Sequence, residues 1–156
     1  METNNIQKKL DEIGLQFPAV HPSKGIYKPC LTLGNQLFVS GHVSLRADGH
    51  CISGKIGTDL SEEDGKAAAR QCALAILGSI KEHLGGFERL KRVIKILGMV
   101  NCAPDFEKQA LIMNGCSELF AQLMGEENGI GVRSAVGMGS LPGNAAVEVE
   151  ALFELY

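Results

Sequence analysis

The segment AVEVEALFEL, residues 146–155, most narrows the folds open to this chain, because apolar side chains alternate along it with largely charged ones. The apolar set is Val147, Val149, Ala151 and Phe153, and the other set is Glu148, Glu150, Leu152 and Glu154. A repeat of two is typical of a β-strand with one buried and one polar face. The segment therefore predicts a sheet that covers a hydrophobic core with a single face.

A long amphipathic helix is predicted to start at Ser61. Asp64 follows three residues later, and carboxylates in a first helical turn complement the helix dipole. Gly85 and Gly86 are typical of a helix end. The apolar positions between them lie three and four residues apart and are Ala73, Ile76, Leu77, Ile80 and Leu84. We expect this stripe to pack on the sheet.

Two further helices are predicted, one on each side of the first along the chain. Asp105 is expected to cap a helix that ends before Gly125. Its buried seam is predicted to consist of Phe106, Ala110, Met113, Ser117 and Phe120. Residues 3–14 predict a short helix, with Thr3 or Asn4 as its cap. Its apolar positions are Ile6, Leu10 and Ile13.

An N-terminal hairpin is predicted by LTLGNQLFVSG, residues 31–41, in which Gly34 and Asn35 form the turn. A further strand is expected from His42 to Leu45, followed by a turn and a short extended segment at Cys51. This region therefore contributes two or three strands to the sheet.

Two more strands precede the C-terminal one. Residues 92–100 (RVIKILGMV) are expected to be buried on both sides, and residues 132–138 (VRSAVGM) to form a hairpin with the C-terminal strand through SLPGN. The order of elements predicts the α+β class, with one mixed sheet and both long helices on one face. We expect a single domain over residues 1–156, in which 1–23 form the short helix and an extended lead-in and 24–156 the core.

Composition argues against two kinds of partner. Hydrophobic residues make up 45% of the chain, but no run approaches the roughly 18 to 20 apolar residues of a membrane span. The net charge is -3 and there is no Trp, whereas nucleic-acid binding relies on basic surfaces and aromatic platforms. We therefore expect neither a membrane nor a nucleic acid as partner. The N-terminus lacks the apolar core of a secretory signal, so a cytoplasmic location is expected.

No metal site or disulfide framework is predicted. The five cysteines are widely spaced and lie among aliphatic residues, and the four histidines are not closely paired. Residues 137–143 are rich in glycine, but they lack the Gly-Lys-Ser/Thr ending and the following helix of a phosphate loop, and are interpreted as a turn. Ser40 and His42 are two apart in a strand, so a nucleophile–base pair is conceivable, although it is the less favoured interpretation.

Arg133 and Glu148 are the leading candidates for chemistry. The predicted hairpin places them roughly opposite each other. The guanidinium fork fits a carboxylate through two parallel hydrogen bonds, and a held carboxylate can orient or deprotonate a water molecule. On spacing alone, a solvated cross-strand ion pair is the more common arrangement for such residues. The residues alone leave both interpretations open.

Several motifs, in this order, resemble the RidA/YjgF family of reactive-intermediate deaminases. They are Tyr27, Ser40-Gly41 thirteen residues later, Arg133-Ser134, Leu141-Pro142 and Glu148-Val149-Glu150. The likeness extends over roughly residues 24 to 155 with the same order of elements.

The resemblance implies a chorismate-mutase-like fold, a homotrimer and clefts between subunits. Arg133 would grip the substrate carboxylate, and Glu148 would hold the attacking water. The residues that would line the cleft or contact substrate are Tyr27, Ser40, Gly41, Asn114, Ser134 and Ala135. Many active members have Cys at the position of Ala135, and the N-terminal helix is an addition to the family pattern. Both departures indicate a divergent subgroup whose substrate is open.

Three functions are therefore considered. The first is hydrolysis of 2-aminoacrylate-like enamines and imines to a 2-oxo acid and ammonia, which requires no cofactor. The second is a non-catalytic sensor that binds a small carboxylate, such as a 2-oxo acid, at Arg133. The third and least favoured is endoribonuclease activity, a label that relatives bear. The acidic net charge argues against it, although there is a local basic cluster at Arg89, Lys91, Arg92 and Lys95.

Overall fold

The computed structural model describes residues 5–19 and 25–156. Four helices and five strands are found in this part of the chain. They are α1 (Ile6–Glu12), β1 (Cys30–Leu33), β2 (Gln36–Val43), α2 (Glu62–Leu84), β3 (Leu90–Asn101), α3 (Gln109–Met124), α4 (Glu126–Gly129), β4 (Val132–Met138) and β5 (Val147–Leu155), with a short 3₁₀ turn (Pro142–Asn144) before β5.

The five strands form one mixed sheet in the order β1-β2-β5-β3-β4. β5 lies in the middle and pairs antiparallel with both β2 and β3, whereas β4 pairs parallel with β3. Helices α2 and α3 pack on one face of the sheet. The predicted α+β class, with a mixed sheet and both long helices on one face, is confirmed.

The alternation of β5 sorts its side chains as predicted. Val147, Val149 and Phe153 are fully buried beneath the helices. The opposite face, which we call the open face, carries Glu148, Glu150 and Leu152 and has no helix over it. β3 was expected to be buried on both sides, which is wrong for the chain by itself. Its residues alternate between buried and half-exposed because helices cover only one face.

Helix α2 begins and ends where its sequence predicts. The Ser61 hydroxyl accepts a hydrogen bond from the backbone N–H of Asp64, and the Asp64 side chain accepts one from the backbone N–H of Ser61. This reciprocal arrangement satisfies two donors that a helix start otherwise leaves free. Gly85 ends the helix with a left-handed φ of 78°, a conformation that glycine adopts without a steric penalty.

Helix α3 starts three residues later than expected, at Gln109, so Asp105 is not its cap. The backbone after β3 is still extended, because Ala103 N–H donates to the Ile56 carbonyl, and it then turns with a Phe106 N–H bond to Ala103. The buried side of the helix also differs from the predicted seam. It consists of Ile112, Met113, Gly115, Cys116, Leu119, Phe120 and Leu123, while Ala110 and Ser117 lie beside it.

Helix α1 covers part of the outer surface of the helical layer. Ile6 and Leu10 are fully buried, and the Lys9 ammonium donates to the carbonyl of Leu123 at the end of α3. The proposed caps Thr3 and Asn4, and the proposed boundary between residues 23 and 24, lie outside the described residues. Within the described residues, no helix is both long and apolar enough to cross a membrane.

The loop that follows β2 differs from the prediction, whereas the first hairpin and the cysteines agree with it. The hairpin turn at Gly34-Asn35 is confirmed, but β2 continues to Val43, and the expected strand from His42 to Leu45 is reduced to an isolated bridge between Leu45 and Cys51. All five cysteines are free, and four are buried. Burial raises the pKa of the Cys116 thiol to about 12, so this cysteine acts as a small hydrophobic side chain.

The close packing of α3 against α2 at Gly115 generates a stability prediction. A Cβ on Gly115 would overlap the backbone carbonyl of Lys66 on α2. Gly115→Ala is therefore expected to lower the free energy of unfolding by about 1–3 kcal/mol, because backbone cannot move aside easily. Chemical denaturation monitored by circular dichroism measures this change.

Gly78→Ala is the matched control on α2. Its added Cβ would lie 3.4 Å from Phe17 Cβ, an ordinary contact. The control should be neutral or stabilising by up to about 1 kcal/mol, since alanine favours helix. Equal effects of the two substitutions would contradict the close helix crossing.

Candidate active site

Arg133 and Glu148 point to opposite faces of the sheet, so the predicted hairpin is wrong. Arg133 lies in register with buried Ile96 and therefore on the helix side, whereas Glu148 lies in register with Met99 and Val43 on the open face. β3 lies between their strands. Within one chain the two side chains do not face each other.

The connection between β4 and β5 explains this difference. The chain crosses the end of β3 before entering the sheet, and Asn101 at that end ties it down. The Asn101 N–H donates to the carbonyl of Ala146, and its side chain donates to the carbonyl of Ala145 and to Asn144 Oδ1. The residues that were interpreted as a hairpin turn are thus a crossover.

The guanidinium of Arg133 is held by one side of α3. Nη1 donates to Ser117 Oγ at 3.0 Å, and Nη2 donates to Asn114 Oδ1 at 2.7 Å and to the Ala110 carbonyl at 3.0 Å. Positions 110, 114 and 117 fall on one helix face. No carboxylate lies within 4.0 Å of Arg133 among the described residues. Neutral oxygen atoms therefore solvate the guanidinium charge.

This arrangement limits how Arg133 can bind an anion. Both N–H groups of Nη2 are engaged, which leaves Nε–H and one N–H of Nη1. Those two donors do not form a parallel pair, so a bidentate grip on a carboxylate requires that a ligand replace an oxygen of α3. Ser117 was assigned to a buried seam from sequence. Its three-residue spacing from Asn114 was the signal that could have identified it as a partner of Arg133.

Glu148 is half-buried, and it packs against Gly41 of the neighbouring strand. A Cβ on residue 41 would overlap Glu148 Oε1, so glycine leaves the space that the carboxylate fills. In the part of the chain that the structure describes, no side chain or backbone group donates a hydrogen bond to this carboxylate. Burial raises the pKa of Glu148, and the charge of Glu150 on the same strand raises it further.

A β-bulge in β2 determines which way Ser40, Gly41 and His42 point. Val39 pairs with Ala151 and His42 with Val149, so β2 uses one residue more than β5 between these pairs. The extra residue reverses the alternation, and His42 turns toward the helices instead of the open face. Ser40 and His42 therefore do not share a face, and the conceivable nucleophile–base pair is absent.

The hydrogen bonds of Ser40 and His42 also show that the two side chains lie on different faces of the sheet. Ser40 Oγ donates to the Lys28 carbonyl at 2.6 Å, whereas the His42 ring contacts the Ser40 carbonyl through Nδ1 and Ser79 Oγ through Nε2, both at 2.7 Å. Burial lowers the pKa of His42, although the bond to the Ser40 carbonyl opposes this. The imidazole is thus a neutral link between β2 and α2.

Tyr27 and Ser40 line a groove on the open face. The groove has a volume of about 570 Å³, and its charged lining residues are Lys28, Lys95 and Glu150. Tyr27 is 54% exposed. Ser134 is exposed beside Leu97 on the same face, whereas Ala135 pairs with Gly98 on the helix side. The candidate residues thus form two groups. Tyr27, Ser40, Gly41, Ser134 and Glu148 belong to the open face, and Arg133, Asn114 and Ala135 belong to the α3 side.

The position of Glu148 predicts a pH-dependent stability effect. Because folding raises the pKa of this carboxyl, ionised Glu148 costs stability above the ordinary pKa of glutamate, and the cost disappears below it, where the group is protonated in both states. Glu148→Gln is therefore expected to raise Tm at pH 7 and to match the native protein near pH 3. Thermal scans across this range measure the difference.

Glu154→Gln is the control on the same strand. Glu154 accepts a hydrogen bond from Lys91 at 2.9 Å and forms an ion pair with Arg92 at 3.1 Å, so its neutralisation should not raise Tm at pH 7. A similar rise for both variants would indicate a general charge effect and would contradict the assignment to Glu148.

Comparison with known proteins gives matches over nearly the whole chain. The family model described as "YjgF/chorismate_mutase-like, putative endoribonuclease" matches residues 7–155. Protein TCP17 of Trypanosoma cruzi is 39% identical over 153 residues, which cover 98% of this chain and 96% of that protein. Among solved structures, the protein Atu1372 of Agrobacterium tumefaciens, whose function is unknown, is 38% identical with a TM-score of 0.88, covering 99% of this chain and 95% of that one.

A more distant structure shares the fold. The YjgF gene product of E. coli is 23% identical with a TM-score of 0.58, over 88% of this chain and 92% of that one. This likeness concerns the fold alone. Because the family model matches residues 7–155 and the chain is 39% identical to TCP17, the chain belongs to the YjgF/RidA family.

Proposed function

We propose that this protein is a hydrolytic deaminase that converts small enamine or imine carboxylates into 2-oxo acids and ammonia. The observation that carries the proposal is Glu148, a half-buried carboxylate with a raised pKa and no hydrogen-bond donor among the described residues. A carboxylate in this condition is a stronger base than an ordinary glutamate. It lies on the open face, which also carries the groove lined by Tyr27 and Ser40.

The reaction needs one base that takes up and returns a proton. Glu148 accepts a proton from water while the water oxygen bonds to the imine carbon, and the C=N electron pair moves to nitrogen. Glu148 then returns the proton to that nitrogen, which gives a carbinolamine. Glu148 next takes the hydroxyl proton of the carbinolamine and passes it to the nitrogen, so that the C–N bond breaks, ammonia leaves and the C=O bond forms. The imine carbon is already electrophilic, so aligning water and substrate supplies much of the catalysis without a cofactor.

Arg133 would bind the carboxylate of the substrate. Its charge persists at physiological pH, and no acidic side chain among the described residues neutralises it. A ligand carboxylate would take the place of Ser117 Oγ and Asn114 Oδ1 on the paired Nη1 and Nη2 atoms. Asn114 and Ser117 would then lie beside the bound carboxylate.

We further propose a homotrimer, because a site with both Arg133 and Glu148 needs two chains. The α3 edge of one chain would meet the open face of the next, and a heterologous contact of this kind can close into a ring. The open face supports such a contact. It exposes Leu31 (50%), Phe38 (41%) and Val136 (40%), a set of apolar side chains that association would remove from water.

The alternative functions have weaker support. A carboxylate sensor would use the same Arg133, but it would not explain a base that has a raised pKa and no hydrogen-bond donor among the described residues. An endoribonuclease would need a basic surface, and Glu154 already pairs with Lys91 and Arg92 of the predicted basic cluster. Binding of 2-oxobutyrate without imine hydrolysis would favour the sensor, and RNA cleavage by nuclease-free protein would favour the nuclease.

The deaminase proposal predicts separate losses for the two key residues. With imines generated in situ by an amino-acid oxidase, Glu148→Gln should lower kcat by about 10²- to 10⁴-fold, because it removes the base. Arg133→Ala should lower kcat/KM by about 100-fold, because two charge-assisted hydrogen bonds to the substrate are lost. Release of 2-oxo acid, measured with a coupled dehydrogenase, follows both.

Arg70→Ala provides the control for removal of a cation. Arg70 donates to Gln122 in an exposed contact and bonds none of the candidate residues, and its loss should leave turnover unchanged. If the native protein accelerates no imine hydrolysis, or if Arg133→Ala retains full activity, the proposed function fails.

The shared site can be tested by mixing two inactive variants. Co-expressed Arg133→Ala and Glu148→Gln chains should recover activity at about one site in four, because a random mixture pairs an intact Arg133 with an intact Glu148 that often. Light scattering should give three times the chain mass of 16.7 kDa. Mixed trimers without recovered activity would show that the two residues do not act together across an interface.

A further inference from the structure

We propose that His42 is a positioning residue for Glu148, and that it acts by holding the bulge of β2 that brings Gly41 against the carboxylate. The catalytic consequence rests on the proposed deaminase function. The geometric consequence, the environment of Glu148, does not.

The hydrogen bonds of His42 assign its protonation state. A carbonyl oxygen can only accept, so Nδ1 carries the proton and donates to the Ser40 carbonyl. In the neutral ring Nε2 then accepts from the hydroxyl of Ser79, which is 7% exposed on α2. The ring therefore ties the peptide after Ser40 to a rigid helix. The Ser40–Gly41 peptide is the part of β2 that the regular ladder leaves without a partner.

The bulge decides what lies against Glu148. In a regular register, His42 instead of Val43 would stand opposite Glu148, and its side chain would fill the open face. With one extra residue, the position against the carboxylate falls to Gly41, whose missing Cβ leaves the space for Oε1. A β2 strand that loses the bond from His42 to the Ser40 carbonyl is free to relax its bulge. Glu148 would then gain contact with water.

Among residues 5–19 and 25–156, Glu150 is the charged group that acts on Glu148. Glu150 on its own strand raises its pKa, and β3 places uncharged Met99 beside it. On β2 the near titratable group is His42 itself, whose pKa burial lowers. On α2 the near titratable group is Cys72. Burial raises the pKa of this thiol far above its usual range, so Cys72 stays neutral. A change in the titration of Glu148 in a His42 variant thus reports a change in its solvation.

Two substitutions separate the bonds of His42. The amide nitrogen of His42→Asn lies near the position of Nδ1 and can still donate to the Ser40 carbonyl. The amide of His42→Gln extends to the position of Nε2 and can still bond Ser79, but it gives up the bond to the bulge. Ser79→Ala removes only the anchor on α2. Circular dichroism and Tm establish that each variant is folded.

The expected results differ between the variants. His42→Gln should lower kcat for imine hydrolysis by about 10- to 100-fold, as expected when a catalytic group is misplaced, with KM within about twofold. Its Glu148 side-chain carboxyl carbon, followed by ¹³C NMR, should titrate at a lower pH than in the native protein. His42→Asn should retain both kcat and the native titration midpoint, and Ser79→Ala should fall between them.

The outcomes also separate this proposal from the function. If Glu148 titrates at the same pH in all variants, or shifts equally in His42→Asn and His42→Gln, His42 does not position it. If the native protein has no deaminase activity, the proposed function fails. The NMR comparison then still decides the role of His42.

Discussion

The position of β5 between β2 and β3 is the constraint on which the rest of the structure depends. Both edges of this strand are paired, and one of its faces lies under α2 and α3. A slip of one residue would carry glutamates into the core and leave Val147 and Phe153 in water. The free-energy cost of burying the glutamate charges excludes this register. The register is therefore fixed by the whole strand, and it directs Glu148 to the open face whatever its own contacts are.

Much of the fold could be predicted because the relevant signals are local. The start and end of α2 follow from Ser61 and Gly85, and the alternation of β5 appears directly in its sequence. The start of α3 could not be predicted in the same way. Asp105 is a good cap residue in isolation, but pairing of Ala103 with Ile56, remote in sequence, keeps the backbone extended up to that point.

The candidate site shows the same division. The motifs identified Arg133 and Glu148 singly, but spacing along the chain does not reveal whether a turn joins neighbouring strands or crosses the end of a third. The bulge was hidden for a similar reason, since one extra residue reverses the alternation without altering the composition of the strand. Gly41 was the visible hint, because glycine within a strand often marks a close approach of another group.

The oxygen atoms that surround Arg133 also bear on how fast the proposed deaminase would turn over. In the proposed function, a carboxylate that enters would displace neutral acceptors of α3, so only the surplus of the ionic contact over those existing bonds would appear as affinity. A 2-oxo acid carries the same carboxylate as the imine from which it forms. Competition from Asn114 and Ser117 would weaken both complexes and thereby limit inhibition by accumulated product.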